Sequence, residues 1–202
     1  MNASIGALAG EAGDYLHLAY KEMVEKHYMV TGVLPRDYLT EKSQELALCC
    51  GYMGSDDYRD HLRNFTLWWR VMNSGKKSLT LLEAEAEHEP FVYEDLAIPW
   101  KPDAIFTRTW VYRGQVKTST LVVDYKTGRY YNNEDEARLQ TSMYAYFYSQ
   151  EQGLDYSQME TCVVHTSDLY QSTKKLREIK KALSERTILK HLKKRQETLQ
   201  AL

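Results

Sequence analysis

Cysteine, proline and glycine are scarce in this sequence, and each shortage excludes a class of protein. The chain has 3 Cys, 4 Pro and 10 Gly among 202 residues. So little Pro and Gly excludes collagen-like and low-complexity chains, while 43% hydrophobic residues suffice for a folded core. Cys49, Cys50 and Cys162 form no even set and no CxxC pair, which argues against disulfide staples, a four-thiolate zinc site and an iron–sulfur cluster. We therefore expect a globular protein of a reducing, cytoplasmic setting.

Long hydrophobic runs are also missing. The longest stretch without Asp, Glu, Lys or Arg runs from Leu139 to Gln150, which is shorter than the roughly 18 apolar residues of a membrane span. Residues 1–10 lack a cationic start and a long apolar run, so we expect no secretory signal. No Gly-x-x-x-x-Gly-Lys-Ser/Thr loop occurs that would bind ATP. The sequence predicts a protein without a membrane span and without a helicase motor of its own.

Charge is divided unevenly along the chain, although the formal net charge is only −2. Residues 173–202 have 10 Lys and Arg against 3 Asp and Glu, which gives +7, so residues 1–172 carry −9. A basic segment of this kind can bind phosphate groups, and an acidic body can hold metal ions. The alternative interpretation of the basic segment is a solvated helix face.

Apolar spacing predicts three helices in the first third of the chain. The first covers about Glu11–Val30, and the second covers Glu41–Tyr52 with Thr40 as its N-cap. The third starts after Ser55 and ends before Asn73. A helical N-terminal region therefore precedes the rest of the fold.

Strand periodicity predicts the sheet in the middle third. Apolar and acidic residues alternate over Leu82–Glu87, which is typical of a half-buried strand, although helix remains an alternative there. Two longer strands, Leu96–Tyr112 and Val116–Lys126, are joined by the three residues Arg113–Gln115. These segments predict an antiparallel hairpin.

A helix, a strand and a second helix are predicted in the last third. They cover about Glu134–Glu151, with Asn132 or Asn133 as its cap, then Met159–Thr166 and Thr173–Leu202. The order of elements indicates an α/β fold with a central mixed β-sheet flanked by helices. We expect one domain of residues 1–202, made of a helical part (1–75), a sheet core with an inserted helix (76–170) and a basic C-terminal helix (171–202).

The clearest sign of chemistry is the apolar strand that ends in Asp124, Tyr125 and Lys126. A two-residue period places Asp124 and Lys126 on one face of the sheet and Tyr125 on the other. Asp103 belongs to the preceding predicted strand and can lie beside them if the hairpin pairs. Two carboxylates and an ammonium group at one sheet edge suit metal-assisted hydrolysis of a phosphodiester. A surface ion pair is the alternative interpretation.

Four motifs in order resemble the PD-(D/E)XK nuclease superfamily in its RecB-like branch. They are a Gly-x-x-x-His helix motif (Gly13 to His17), Pro102-Asp103, Asp124-Tyr125-Lys126 and a Gln-x-x-x-Tyr helix motif (Gln140 to Tyr144). The resemblance covers residues 13–146, most of the chain. It implies a restriction-endonuclease-like core and a metal-dependent DNA nuclease.

The resemblance also implies roles for individual residues. His17, Asp103, Asp124 and the main-chain carbonyl of Tyr125 would bind one or two Mg²⁺ or Mn²⁺ ions, and Lys126 would be the catalytic lysine. An imidazole ligand suits Mn²⁺ better than Mg²⁺, which favours manganese. Lys126 could orient the nucleophile, stabilise developing negative charge or accept a proton.

Further residues are expected around this centre. The resemblance implies that Gln140 and Tyr144 contact the nucleic acid, while Thr127 and Gly128 turn the strand and allow the substrate backbone to approach. Additional metal ligands remain open, and the candidates are Glu83, Glu85, Glu87 and His88.

The family resemblance implies an exonuclease acting on single-stranded DNA or DNA ends, in recombination, repair or phage DNA processing, with a recombination or helicase protein as partner. The 16 tyrosines include candidates for stacking on unpaired bases. Two alternatives use the same fold: an inactive nucleic-acid-binding module that holds phosphate through its basic terminal helix, and a protein-interaction module.

Overall fold

A computed structural model describes residues 3–28, 34–128, 134–167 and 178–200. The helices in these ranges are α1 (Ala3–Glu22), α2 (Tyr38–Cys49), α3 (Ser55–Met72), α4 (Glu134–Gln152) and α5 (Glu185–Gln200). The strands are β1 (Lys77–Ala84), β2 (Phe91–Tyr93), β3 (Leu96–Ile98), β4 (Ala104–Tyr112), β5 (Gln115–Lys126), β6 (Met159–His165) and β7 (Lys180–Lys181). A π-helical segment, Met23–Tyr28, continues α1, and a 3₁₀ turn, Tyr156–Gln158, precedes β6.

The central sheet has five strands in the order β1-β4-β5-β6-β7. β5 and β6 pair in parallel, and the other neighbours pair antiparallel. A parallel pair needs a crossover connection, and α4 provides it between β5 and β6. β2 and β3 form a separate hairpin. The predicted α/β class, with a mixed sheet flanked by helices and a helical N-terminal region, is confirmed.

Helices cover both faces of the sheet. On one face, α1 and α3 bury Leu16, Tyr20, Phe65 and Trp68 against side chains of β4, β5 and β6. On the other face, α4 and α5 pack their apolar sides on the sheet, and Phe147, Ile188 and Leu192 are fully buried there. Alternate residues of β5 pack into the two cores. Adjacent residues at the end of this strand therefore face helices on opposite sides of the sheet.

The β4–β5 turn is shorter than predicted. Tyr112 pairs with Gln115, which leaves a two-residue connection of Arg113 and Gly114. Both residues have positive φ, 50° and 78°. Such a turn matches the right-handed twist of its strands, and this explains why it replaces the expected three-residue connection.

The first strand differs from the prediction in position and in the face it buries. β1 ends at Ala84, and its register against β4 shifts between Leu81 and Glu83. Because a bulge reverses the alternation, Leu79 and Ala84 are buried, whereas Leu82 is 47% exposed. The predicted inward position of Leu82 is therefore wrong.

The C-terminal segment is not one continuous helix. The described residues 178–200 contain the short strand β7 before α5 begins at Glu185. Lys180 and Lys181 pair with Thr161 and Glu160 at the free edge of β6, which replaces helical hydrogen bonds with sheet hydrogen bonds. The predicted helix start at Thr173 lies outside the described residues.

The helix boundaries also differ from those predicted from the sequence. α1 includes residues from Ala3 onward, well before the predicted Glu11. α2 begins at Tyr38 after Asp37, so Thr40 lies inside the first turn and is not the N-cap. Gly153 has φ +63° directly after α4 and ends this helix. The predicted end of the first helix at Val30 and the predicted caps at 132–133 lie outside the described residues.

None of the helices in the described ranges combines the length and apolarity that crossing a bilayer requires.

Candidate metal centre and active site

One end of the sheet gathers the polar residues singled out by the sequence. β1 and β5 run antiparallel to β4, and β6 runs parallel to β5. The last residues of β1, β5 and β6 therefore meet the first residue of β4 at the same end. Glu85 follows β1, Asp103 precedes β4, and Lys126 closes β5. Segments far apart in sequence thus converge there.

His17 reaches this end from the middle of α1. One turn later on the same helix, Tyr20 stacks on Phe65 at a ring distance of 4.5 Å and meets the edge of Tyr125 at 5.1 Å. These buried aromatic contacts fix the rotation of α1 about its axis. His17 Nε2 consequently lies 3.1 Å from the carbonyl oxygen of Tyr125.

The other ring nitrogen of His17 faces two carboxylates. Nδ1 lies 3.4 Å from Glu85 Oε1 and 3.4 Å from Asp103 Oδ1. Burial alone would lower the pKa of His17, but the hydrogen bonds and charges of Asp103 and Glu85 raise this pKa to about 10. The two carboxylates beside this imidazole make the pocket strongly negative.

His17, Glu85 and Asp103 form a compact group of potential metal ligands. Their ligand atoms all lie within 4.8 Å of one another, and no other set of three His, Cys, Asp or Glu side chains in the described ranges does so. The structure thus brings together His17 and Asp103, as predicted, and adds Glu85. Asp124 does not belong to this set, and its carboxylate pairs with Lys126 Nζ.

Glu85 is one of the four residues that the sequence offers as an additional metal ligand. Its backbone conformation explains why it joins the group around His17. It has φ +51°, and its N–H donates to the carbonyl oxygen of Asp103 at 3.0 Å. Burial would raise the pKa of Glu85, but His17 and Lys101 lower it, with Lys101 Nζ 2.8 Å from Oε2. A left-handed conformation just after a bulge turns the side chain to the sheet end. No sequence pattern indicates such a conformation for glutamate.

The three other candidates lie elsewhere. His88 has Nε2 3.4 Å from Glu83 and Nδ1 3.0 Å from Glu151, and its ring stacks on Trp100 at 4.0 Å. Glu87 is exposed. His88 and Glu83 therefore tie α4 to the region after β1 and do not join the group around His17.

Asp124 and Lys126 lie on the α4 side of the sheet, as alternation predicts. Lys126 Nζ lies 3.1 Å and 2.9 Å from the two oxygens of Asp124 and 3.3 Å from Gln140 Oε1. Gln140 Nε2 donates to the Tyr144 hydroxyl at 2.9 Å. Gln140 and Tyr144 are thus part of one polar chain that begins at Asp124, which agrees with their predicted place beside the site.

Asp103 links the two halves of the site. Ala104 pairs with Val123 in the antiparallel register of β4 and β5. Asp103 precedes Ala104 and Asp124 follows Val123, so Asp103 lies alongside Asp124. Asp103 Oδ2 accepts a hydrogen bond from the N–H of Tyr125. Burial and the charge of Asp103 raise the pKa of Asp124, while Lys126 opposes the rise. Burial would lower the pKa of Lys126, but Asp124 and Asp103 raise it.

The donor set fits a hard divalent cation. Adjacent ligands of an octahedral ion with bonds of about 2.1 Å lie about 3 Å apart, close to the 3.4 Å separations of His17 Nδ1 from Glu85 Oε1 and from Asp103 Oδ1. The carbonyl oxygen of Tyr125 lies at the other ring nitrogen, Nε2. Glu85 Oε1 and Asp124 Oδ2 are shielded from solvent and receive no well-directed hydrogen bond, although His17 Nδ1 lies 3.4 Å from the first and Lys126 Nζ 2.9 Å from the second. Each carboxylate oxygen keeps a lone pair that a cation would use. The residues present therefore fit Mg²⁺ or Mn²⁺.

A buried polar network supports the strand that carries Lys126. Thr166 Oγ1 lies 2.9 Å from the hydroxyl of Tyr20 and 3.0 Å from His61 Nδ1. The N–H of Thr166 donates to the carbonyl oxygen of Lys126 at 3.0 Å, and Asn64 Nδ2 donates to the carbonyl oxygen of Thr166 at 2.7 Å. Helices α1 and α3 are thereby tied to the ends of β5 and β6.

We expect Thr166→Val to reduce the phosphodiester hydrolysis that the family resemblance implies roughly 10- to 100-fold, because loss of a supporting hydrogen bond misplaces the groups it holds. The fully buried hydroxyl of Tyr20 would also lose its hydrogen bond to Thr166, which lowers the free energy of unfolding by about 1–3 kcal/mol. Steady-state kinetics measures the loss of activity, and thermal melts measure the loss of stability. Thr66→Val is the matched control, since the buried Thr66 hydroxyl donates to the Leu62 carbonyl in its own helix. An equal loss of activity in both variants would contradict the positioning role of Thr166.

Thr127 and Gly128 border the site, but neither forms a left-handed turn. Gly128 is exposed, has no positive φ, and its carbonyl accepts a hydrogen bond from Ser167 Oγ at 3.0 Å. A β-carbon at Gly13 would lie 3.4 Å from Thr127 Oγ1, an ordinary contact. A β-carbon at Gly128 would have no atom within 4 Å, so glycine here leaves open space beside the strand end.

A scan against known protein families gives no match for this sequence. A search of curated proteins also finds no match.

Proposed function

We propose that this protein is a metal-dependent nuclease that hydrolyses phosphodiester bonds in DNA, with the organisation of the RecB-like PD-(D/E)XK enzymes. The observation that supports this proposal most is the meeting of Asp103, Asp124 and Lys126 with His17 and Glu85 at one sheet end. Four segments separated by up to 109 positions, from His17 to Lys126, contribute to it. An acidic pocket next to one ammonium group suits a cation and an anionic substrate together.

Separate residues of this chain would bind the metal ion and the substrate phosphate. Asp103, Asp124, His17 and the Tyr125 carbonyl would hold Mg²⁺ or Mn²⁺, and Glu85 would complete or support the shell. The bound cation supplies charge neutralisation at the phosphate and lowers the pKa of a coordinated water. Lys126 would act as a cation, since Asp124 and Asp103 raise its pKa. It would hold the substrate phosphate and stabilise developing negative charge.

Gln140 and Tyr144 would contact the nucleic acid. Gln140 is exposed and already touches Lys126, and Tyr144 is half-buried beside it. Action on single-stranded DNA or free ends, in recombination, repair or phage DNA processing and with a recombination or helicase partner, follows from the family resemblance and belongs to the proposal.

Labelled single- and double-stranded DNA, incubated with Mg²⁺, Mn²⁺ or EDTA, tests the proposal. We expect cleavage with either metal, more with Mn²⁺ because of the imidazole ligand, and none with EDTA. Cleavage that survives EDTA would contradict the proposal. Binding of DNA without any cleavage in either metal would favour an inactive nucleic-acid-binding module.

A further inference from the structure

A cavity of about 590 Å³ begins at the proposed active site and extends to α5. Lys126 and Gln140 line it on the side of the proposed active site, and His191 and Arg195 of α5, whose side is called here the outer end, also line it. This volume lies within the range of pockets that bind small organic ligands or single nucleotides. The cavity therefore continues the proposed catalytic site toward the basic helix.

The floor of the cavity is apolar. Ile98, Met143 and Phe147 form it, and all three belong to the buried core between the sheet, α4 and α5. Tyr144 also lines the cavity and offers an aromatic ring. An apolar floor with one aromatic wall suits the flat face of a nucleobase.

The outer end of the cavity is basic. His191 and Arg195 are four residues apart on α5 and so lie on the same side of that helix. Arg195 is exposed, and no acidic side chain among the described residues lies within 4 Å of its guanidinium group. Glu136 is the single acidic residue among those that line the cavity within the described ranges. A phosphate group is the complementary ligand for this end.

We propose that the cavity binds one unpaired nucleotide next to the scissile phosphate, with its base on the apolar floor and its phosphate at His191 and Arg195. This inference rests on the proposed nuclease function and adds a reason for single-strand preference. Bases in a duplex are paired and stacked, so they reach a recessed floor only after unstacking. A single strand presents its bases without that cost.

The test uses a fluorescent oligothymidylate of about ten residues, within the span of known single-strand sites. Binding is measured by anisotropy with Mn²⁺ present, in a Lys126→Met background that prevents the proposed cleavage. Arg195→Ala should weaken binding about tenfold and reduce the slope of log affinity against log salt by about 0.7. Lys193→Ala is the matched control, since Lys193 is an exposed cation on the same helix and does not line the cavity. Equal losses in the two variants would overturn the proposal.

Two further probes examine the base and the pairing state. An abasic oligonucleotide with the same number of phosphates should bind about tenfold more weakly than oligothymidylate, because it lacks the base–floor contact. A blunt duplex should show no greater loss from Arg195→Ala than from Lys193→Ala. Equal affinity for the abasic strand, or the same Arg195 effect on duplex, would overturn the inference.

Failure of this inference and failure of the nuclease proposal are distinguishable. Hydrolysis of bis(p-nitrophenyl) phosphate, a phosphodiester without a nucleotide, reports the catalytic centre alone. If wild type hydrolyses it with Mn²⁺ and Arg195→Ala binds oligothymidylate like Lys193→Ala, only the nucleotide site is wrong. If nothing is hydrolysed but Arg195→Ala still weakens oligothymidylate binding specifically, the nucleotide site stands and the nuclease proposal fails.

Discussion

Replacing Lys126 with methionine should lower metal-dependent DNA hydrolysis by about 10²- to 10⁴-fold. The side chain keeps its length and its apolar stem, but the only ammonium group bonded to Asp124 in the described part of the site is lost. Negative charge that develops on the phosphate would then lack its protein-bound cation. Initial rates on labelled single-stranded DNA at saturating Mn²⁺ measure the effect.

The matched control for this change is Lys117→Met. Lys117 is on the same strand as Lys126 but is exposed near the hairpin turn, far from the sheet end. It should change the rate less than about twofold, since exposed charges distant from a site contribute little. A Lys126→Met enzyme that retains wild-type rates would remove the proposed catalytic role, and equal losses in both variants would point to a general charge effect.

Asp124→Asn should abolish most of the thermal stabilisation that Mn²⁺ confers. At a Mn²⁺ concentration about 100 times Kd, binding to the folded wild type should raise Tm by about 5 to 10 °C. The variant replaces an anionic ligand by a neutral amide, so Mn²⁺ should raise its Tm by only about 1 to 2 °C. Thermal melts with and without Mn²⁺ measure both shifts, and Asp135→Asn, an exposed position in the first turn of α4, is the control.

The same variant should have the opposite effect in EDTA. Burial and the charge of Asp103 raise the pKa of Asp124 above the ordinary 3.8, so the folded protein binds a proton there more tightly than the unfolded chain does. The stability from this group is fully present below about pH 4 and is lost as pH rises through the raised pKa. Near pH 8 the ionised carboxylate is therefore destabilising, and Asp124→Asn should melt at the wild-type temperature or above it. A clearly lower Tm in EDTA would contradict this account of the site.

The arrangement of the β5 residues was predictable from sequence because it depends only on strand alternation. Val122 and Asp124 face α4, whereas Val123 and Tyr125 face α1 and α3. The helix pair Gln140 and Tyr144 was predictable for a similar reason, since an i,i+4 spacing places both on one helix face.

Features that depend on backbone irregularity were not predictable in this way. The bulge between Leu81 and Glu83 reverses the buried face of β1, and the positive φ of Glu85 turns its carboxylate toward His17. Neither follows from residue type, because Glu rarely adopts a left-handed conformation. The alternating Ala and Glu pattern therefore identified a strand region but not the member of it that joins the site.

The edge strand β7 was missed for a different reason. Lys180 and Lys181 lie in a basic, helix-favouring segment, and a two-residue strand has no periodicity of its own. Its formation depends on the free edge of β6, a tertiary partner that local sequence does not specify.

Diffraction at the manganese absorption edge, from crystals grown with Mn²⁺, tests the central claim most directly. The account predicts an anomalous peak at the sheet end, about 2.0 to 2.4 Å from carboxylate oxygens of Asp103 and Asp124 and from an imidazole nitrogen of His17. It also predicts that the peak disappears in Asp124→Asn crystals. A peak bound elsewhere on the protein, or none at a Mn²⁺ concentration that supports hydrolysis, would contradict it.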